Sequence, residues 1–278
     1  MQGYNVKIYT FPNGVKQYRL YERGIDCTAL WEQSQKRLDK IEYDPFENHR
    51  VHNVKESTFD EHFRKSAEVS LKRTKQSVYF LARSNIWDWF VTFTLDPKKV
   101  DRFDFDECVK VLSKWLNNLR RSNPDMSYII VPERHKSGAW HFHGLMSGLS
   151  PGMIQETNNY VIKKWKENGR WKFKKTNRKI YKFSKYKLGF MTATKVQDND
   201  KSIGYITKYY TKEMLECIFG RKRYWASRNL EKPREEVYSV DWVDKMVLAA
   251  DLESTATYKK DCIVEYGQYS NKVSLYEV

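Results

Sequence analysis

The stretch Tyr128–Ser147, YIIVPERHKSGAWHFHGLMS, decides how this chain is read. Two apolar runs flank Lys136-Ser137-Gly138, and glycine can take the left-handed position that closes a three-residue hairpin loop. With His135 opposite Ala139, Glu133 falls opposite His141 and Val131 opposite His143. Side chains alternate along a strand, so His141, His143 and Glu133 share one face while Phe142 points to the other. Two imidazoles and a carboxylate on one patch of sheet suit a divalent metal with open positions. His135 lies on the same face, one pair nearer the turn, and is the alternative third ligand. A bulge in either strand would change the parity and break this arrangement.

A second motif lies further on, at Ile203–Glu213, IGYITKYYTKE. On a helical wheel Ile203, Ile206, Tyr210, Met214 and Cys217 form an apolar stripe, with Lys208 and Lys212 opposite. Tyr205 and Tyr209, four apart, are neighbours between those faces, roughly 5–6 Å apart at their β carbons. Each has a lysine three residues later. Alone, this pattern also describes an amphipathic helix with tyrosines at the margin of its core.

Together the motifs resemble those of the HUH endonucleases, specifically the rolling-circle replication initiators of phages and plasmids, two-tyrosine type. Phe90-Val91-Thr92-Phe93-Thr94 looks like the family's first motif. His141-Phe142-His143 looks like its metal motif, with Glu133 at the place of the third ligand. Tyr205-Ile206-Thr207-Lys208-Tyr209 is similar to its nucleophile helix. The likeness covers about residues 88–213, with the blocks in the family's order. Conjugative relaxases place the tyrosine before the histidines; here it follows them.

The rest of the chain fits a nucleic-acid partner. Fifty Lys and Arg against 35 Asp and Glu give a net charge of +15, and aromatics make up 15% of the 278 residues. That combination favours a polyanion over an acidic protein or small molecule. The most basic stretch is residues 163–187. Lys163, Lys164, Lys166, Arg170, Lys172, Lys174, Lys175, Arg178 and Lys179 alternate there with Trp165, Trp171 and Phe173. Cations neutralise phosphates and aromatic faces accept unpaired bases, so this segment is expected to grip single-stranded or hairpin DNA.

Cys27, Cys108, Cys217 and Cys262 have no CxxC spacing and read as plain thiols of a reducing compartment. No run of about 18 apolar residues occurs, so no membrane helix is expected. The first residues carry no apolar signal core, so a cytoplasmic protein of a bacterial host cell is expected.

Pro12-Asn13-Gly14 predicts a hairpin within 4–22. Residues 28–41 have helical spacing, and Thr58 with Glu61 predicts a capped helix running to about Arg83. His49 and His52, in a polar loop, read as surface residues. Trp87–Leu95 reads as a strand, Phe105–Arg121 as a helix, Ile154–Glu167 as a helix, Leu188–Val196 as a strand. Tyr258–Tyr266 and Lys272–Tyr276 read as late strands. The fold class is α+β: a central antiparallel sheet with helices packed on it. The resemblance implies the HUH palm, which is ferredoxin- or RRM-like. The domains read as an N-terminal extension (1–56), a nuclease domain (57–230) with the DNA-binding insertion around 163–187, and a C-terminal extension (231–278).

The implied reaction is a metal-assisted transesterification at a phosphodiester. Glu133, His141 and His143 would hold Mn²⁺ or Mg²⁺. Tyr205 or Tyr209 would attack, aided by Lys208 or Lys212. The products would be a 5′-phosphotyrosine and a free 3′-hydroxyl. No GxxxxGK[ST] loop occurs, so helicase and polymerase would come from the host. A two-tyrosine single-strand transposase and a non-catalytic basic replication or repressor protein share parts of the pattern. An HxH hydrolase of small molecules explains neither the charge nor the tyrosines.

Overall fold

The computed structural model describes residues 3–26, 28, 41–43, 50–52, 56–209, 221–266 and 269–278. The expected helix at 28–41, but for its two end residues, lies outside the described residues. So do Cys27, His49, Tyr210, Lys212, Met214 and Cys217. The chain divides into two compact units, residues 66–231 and residues 1–65 with 232–278. Both are built on antiparallel sheets, with helices packed on them.

The central unit holds a seven-stranded sheet. Its strands are β5 (Trp89–Leu95), β6 (Ser127–Arg134), β7 (Trp140–Ser147), β8 (Ile154–Glu167), β9 (Arg170–Phe183), β10 (Gly189–Lys195) and β11 (Trp225–Ala226). Their order across the sheet is β11-β6-β7-β5-β10-β9-β8. Helix α1 (Glu56–Arg83), helix α2 (Phe105–Ser122) and the short helix α3 (Asn199–Ile206) accompany it.

Helix α2 forms because Cys108, Leu112, Leu116 and Leu119 recur at helical spacing and are buried. Asp104 caps it by accepting hydrogen bonds from the Asp106 and Glu107 amides, and Arg120 and Arg121 sit where the helix dipole is negative. This helix covers one sheet face, against Val91, Phe93, Ile130, Phe142, Met146 and Met191. The other face is covered at one end only, where Val78, Ala82 and Trp87 from the α1 side and Ile203 and Ile206 of α3 pack on Ile129, Val131 and Leu145. Each such fully buried side chain contributes about 2 kcal/mol. Burial on both faces explains why β6 and β7 read as almost continuous apolar runs.

The central hairpin has the register that its turn predicts. Glu133 pairs with His141 and Val131 with His143, without a bulge. His135 and Ala139 close the loop, and Gly138 adopts φ 89°. In β7 the β carbon of any residue but glycine at Gly144 would meet the Ile129 carbonyl oxygen at 2.7 Å and Ile130 Cδ1 at 2.3 Å. Strands β6 and β7 are packed that tightly.

Three expectations need correction. Ile154–Glu167 is not a helix but strand β8, paired along β9 in a long hairpin. The turn Asn168-Gly169 explains it: both residues have positive φ, 50° and 78°, the geometry of a type I′ hairpin turn. Helix α1 is already under way at Glu56, so Thr58 lies inside it rather than capping it. The tyrosine segment leaves α-helical geometry at Ile206 and continues as a 3₁₀ turn, Thr207–Tyr209.

The terminal unit has a five-stranded sheet in the order β12-β1-β2-β14-β13. These are β1 (Tyr4–Thr10), β2 (Lys16–Ile25), β12 (Arg234–Tyr238), β13 (Tyr258–Tyr266) and β14 (Tyr269–Glu277). Helix α4 (Trp242–Thr255) packs Leu248 and Leu252 against Val6, Leu20 and Tyr276. Residues from the two ends of the chain thus share one sheet. A small strand pair, β3 (Ile41–Tyr43) with β4 (Arg50–His52), completes the elements.

Candidate active site

Strand register lays out the half-covered sheet face as rows. The outermost row reads Glu133, His141, Thr94 and Phe190 across β6, β7, β5 and β10. The next reads Val131, His143, Thr92 and Thr192. The third, Ile129, Leu145, Phe90 and Thr194, runs under the apolar cover formed with α1 and α3. The histidines therefore sit where the cover stops.

Each histidine is held from behind by a threonine. Thr92 Oγ1 lies 3.1 Å from His143 Nδ1, and Thr94 Oγ1 lies 3.3 Å from His141 Nδ1. An Nδ1–H donated to the hydroxyl leaves Nε2 for the open side. His143 Nε2 is 2.7 Å from Glu133 Oε2. The hydrogen bond from His143 holds the Glu133 carboxyl below its usual range. Burial, then the nearby His135 and His143 rings, push His141 below the ordinary imidazole range. His135 stacks on His141 with ring centres 5.2 Å apart. Among the described residues no three His, Cys, Asp or Glu side chains stand together as a metal cluster. The donors nonetheless fit a hard or borderline divalent cation: two imidazoles with their Nδ1 atoms engaged, and a carboxylate on the same face.

The tyrosines arrive from the other side. Capped by Asp198, α3 buries Ile203 and Ile206, and the following turn sets Tyr209 flat on His143, with ring centres 3.8 Å apart and planes 6° apart. Tyr205 stands edge-on to Tyr209 at 5.4 Å and to Phe90 at 5.2 Å. Burial, then its hydrogen bond with Tyr205, holds the Tyr209 phenol far above its ordinary range. Tyr205 is more open, at 48% exposed, and Lys208 Nζ lies 5.7 Å from its ring centre. Thus Glu133, His141, His143, Tyr205 and Tyr209, far apart in sequence, are neighbours on one sheet face. Sequence reasoning assigned Thr92 and Thr94 only a supporting place in the sheet. Their bond to the histidines needed the β5–β7 register, which no local pattern encodes.

The basic stretch is an arm. Beyond Tyr181, which packs on Trp89, most of β8 and β9 is exposed on both faces. Register separates two sides. Ile162, Lys164, Lys166, Trp171, Phe173 and Lys175 share one; Lys163, Trp165, Arg170, Lys172 and Lys174 share the other. The first is the more apolar: Ile162, Trp171 and Phe173 are 62%, 56% and 63% exposed. Lys164 Nζ stands 4.4 Å from the Trp171 ring centre, and Lys175 Nζ 4.1 Å from that of Tyr160. Lys172 faces Glu167 at 3.7 Å, Lys179 is paired with Glu156, and Arg178 donates to Thr194 Oγ1. Among the described residues no helix is long and apolar enough to cross a membrane.

Residues 88–214 match the family model described as replication-associated protein ORF2. The match begins at β5 and runs past the Tyr205–Tyr209 turn, so it contains every residue of the rows and the arm. No curated protein and no solved structure matches the chain. The match supports a part in DNA replication, consistent with a replication initiator.

Proposed function

We propose that the chain is a rolling-circle replication initiator of the HUH, two-tyrosine type, which nicks single-stranded origin DNA and rejoins it. One observation carries this reading: Tyr205 and Tyr209 converge on His143, over the same sheet face as His141 and Glu133. A phosphate placed there would meet a nucleophile and an electrophilic site together.

Glu133, His141 and His143 would hold Mn²⁺ or Mg²⁺, which requires the Glu133–His143 hydrogen bond to open. When bound, the cation supplies Lewis-acid polarisation of the scissile phosphate. Thr92 and Thr94 keep the two imidazoles turned toward it. Tyr205 makes the first attack, being the more open phenol. Its oxygen forms a bond to phosphorus, the bond to the 3′ oxygen breaks, and the phenolic proton ends on the 3′-hydroxyl. One phosphoester replaces another, so no nucleotide hydrolysis is needed. Lys208 stabilises the negative charge developing on the phenol oxygen. Tyr209 serves a second cleavage when the origin is regenerated, and the arm holds the strand by its phosphates. Host helicase and polymerase would extend the free 3′ end.

The test incubates labelled origin single strand with the wild-type chain, Tyr205→Phe, Tyr209→Phe and the double variant, with metal and in excess chelator. We expect a covalent adduct on Tyr205, little adduct in Tyr205→Phe, none in the double variant and none in chelator. His143→Ala should abolish the adduct while binding stays within about twofold, since phosphate contacts lie elsewhere. An adduct in the double variant would remove the proposal. Tight binding with no adduct in any chain would leave a non-catalytic replication protein.

A further inference from the structure

Phe190 is out of place for a residue in the body of a sheet. It lies in β10, two strands from the histidines, and is 68% exposed. Its strand neighbours Met191 and Ala193 point to the opposite face and are buried against α2. Register puts Phe190 in the outermost row, beside Thr94, whose hydroxyl meets His141. The row therefore ends in a phenyl ring lying open to water, where the cover from α1 and α3 does not reach. Two strand spacings separate Phe190 from His141, roughly 10 Å. That is the distance from a phosphate to a base of an adjoining nucleotide in an extended strand.

The ring is also held in place. At Gly189 a β carbon would come within 2.3 Å of the Thr94 carbonyl oxygen, so β10 lies hard against β5 at this point. On the same face, four residues along β10, Thr194 accepts a hydrogen bond from the exposed Arg178. A cation and an aromatic ring on one strand face form the pair used to bind unpaired nucleic acid: charge for the phosphate, a π face for the base. An apolar side chain so exposed next to a polar row marks a binding surface.

We infer that Phe190 is the stacking position for a base adjoining the scissile phosphate, and that it sets where along the strand the cut falls. The occupant is an unpaired nucleotide; a paired base presents no free face to the ring. This inference rests on the nuclease reading for the identity of the neighbouring phosphate, but not for the binding itself. Phe190 is thus a positioning residue, acting through the strand it holds.

The experiment uses the full chain with Tyr205→Phe and Tyr209→Phe, so that no strand is cut. Oligothymidylate is cross-linked by ultraviolet light and the attachment mapped by mass spectrometry, with affinity measured by anisotropy. We expect cross-linking at Phe190, roughly tenfold weaker binding in Phe190→Ala, and restoration of both by Phe190→Tyr. Duplex affinity should not change between these variants. In the cleaving chain Phe190→Ala should scatter the mapped cut over neighbouring positions, which a loss of fold would not do. Unchanged affinity and an unchanged cut position in Phe190→Ala would overturn the inference, as would cross-linking confined to the arm. Loss of every tyrosine adduct with the Phe190 cross-link intact would instead strike the nuclease reading.

Discussion

Two hairpins of the same sheet, β6–β7 and β8–β9, make opposite use of the same geometry. The first is buried on both faces, with Phe142 and Leu145 fully enclosed and no space for a methyl group at Gly144. The second is exposed on both faces along most of its length and carries nine cations, Lys163, Lys164, Lys166, Arg170, Lys172, Lys174, Lys175, Arg178 and Lys179, against Glu167 between Tyr160 and Lys179. Packing fixes the side chains of the first to fractions of an ångström, as a reacting centre needs. The second has no core, and a two-stranded ribbon alone is marginally stable. It suits a partner that brings its own surface. The contrast separates positions where shape is set before binding from positions where it is completed by binding.

The sharpest way to break this contrast is to overfill the buried hairpin. Gly144→Ala should cost about 3 kcal/mol, because one of the two contacts is backbone and cannot turn aside. Urea denaturation of the purified chain measures it; a change under about 0.5 kcal/mol would show that β6 and β7 are not rigidly spaced.

A milder test leaves volume alone and removes one hydroxyl. Thr92→Val deletes the contact to His143 Nδ1, and adduct formation should fall roughly ten- to a hundredfold, with Thr92→Ser recovering most of it. Equal activity in all three chains would mean that packing alone orients the imidazole.

The smallest effect belongs to the arm. Gly169→Ala places a side chain at φ 78°, costing the ribbon about 1 kcal/mol. Hydrogen exchange should speed up at β8 and β9 amides while the melting temperature of the chain stays within about a degree, since the ribbon is not part of the core. A global drop would join the arm to the central fold after all.

How far the sequence was legible follows the same division. The buried hairpin could be read residue by residue because a three-residue loop fixes register and both faces are apolar. Helix α2 could be read from one stripe and one cap. The arm was misread, since IQETNNYVIKKWKE places apolar residues at spacings that suit either a helix face or a twisted strand. Asn168-Gly169 was the deciding signal, and it lies after the segment rather than in it. The row from Glu133 to Phe190 was only half visible. Its first two members sit in one hairpin, while Thr94 and Phe190 join through pairings across 47 and more residues. Long-range register is decided by the whole sheet. The 3₁₀ turn that brings Tyr209 onto His143 likewise has no local signature in a segment whose spacing reads as helix.

The sheet shared by the two ends of the chain has a consequence for synthesis. Strands β1 and β2 are the first elements to leave the ribosome, yet their sheet neighbours β12 and β14 begin at residues 234 and 269. Backbone hydrogen bonds in both directions between Lys16 and Val278 are among the last that translation permits. Until then both edges of the first hairpin lack their partners, while the residues of the central unit have all been made. A polypeptide released before residue 269 would carry a completed central sheet and an N-terminal hairpin with a bare edge, ready to pair with another copy instead of its own tail.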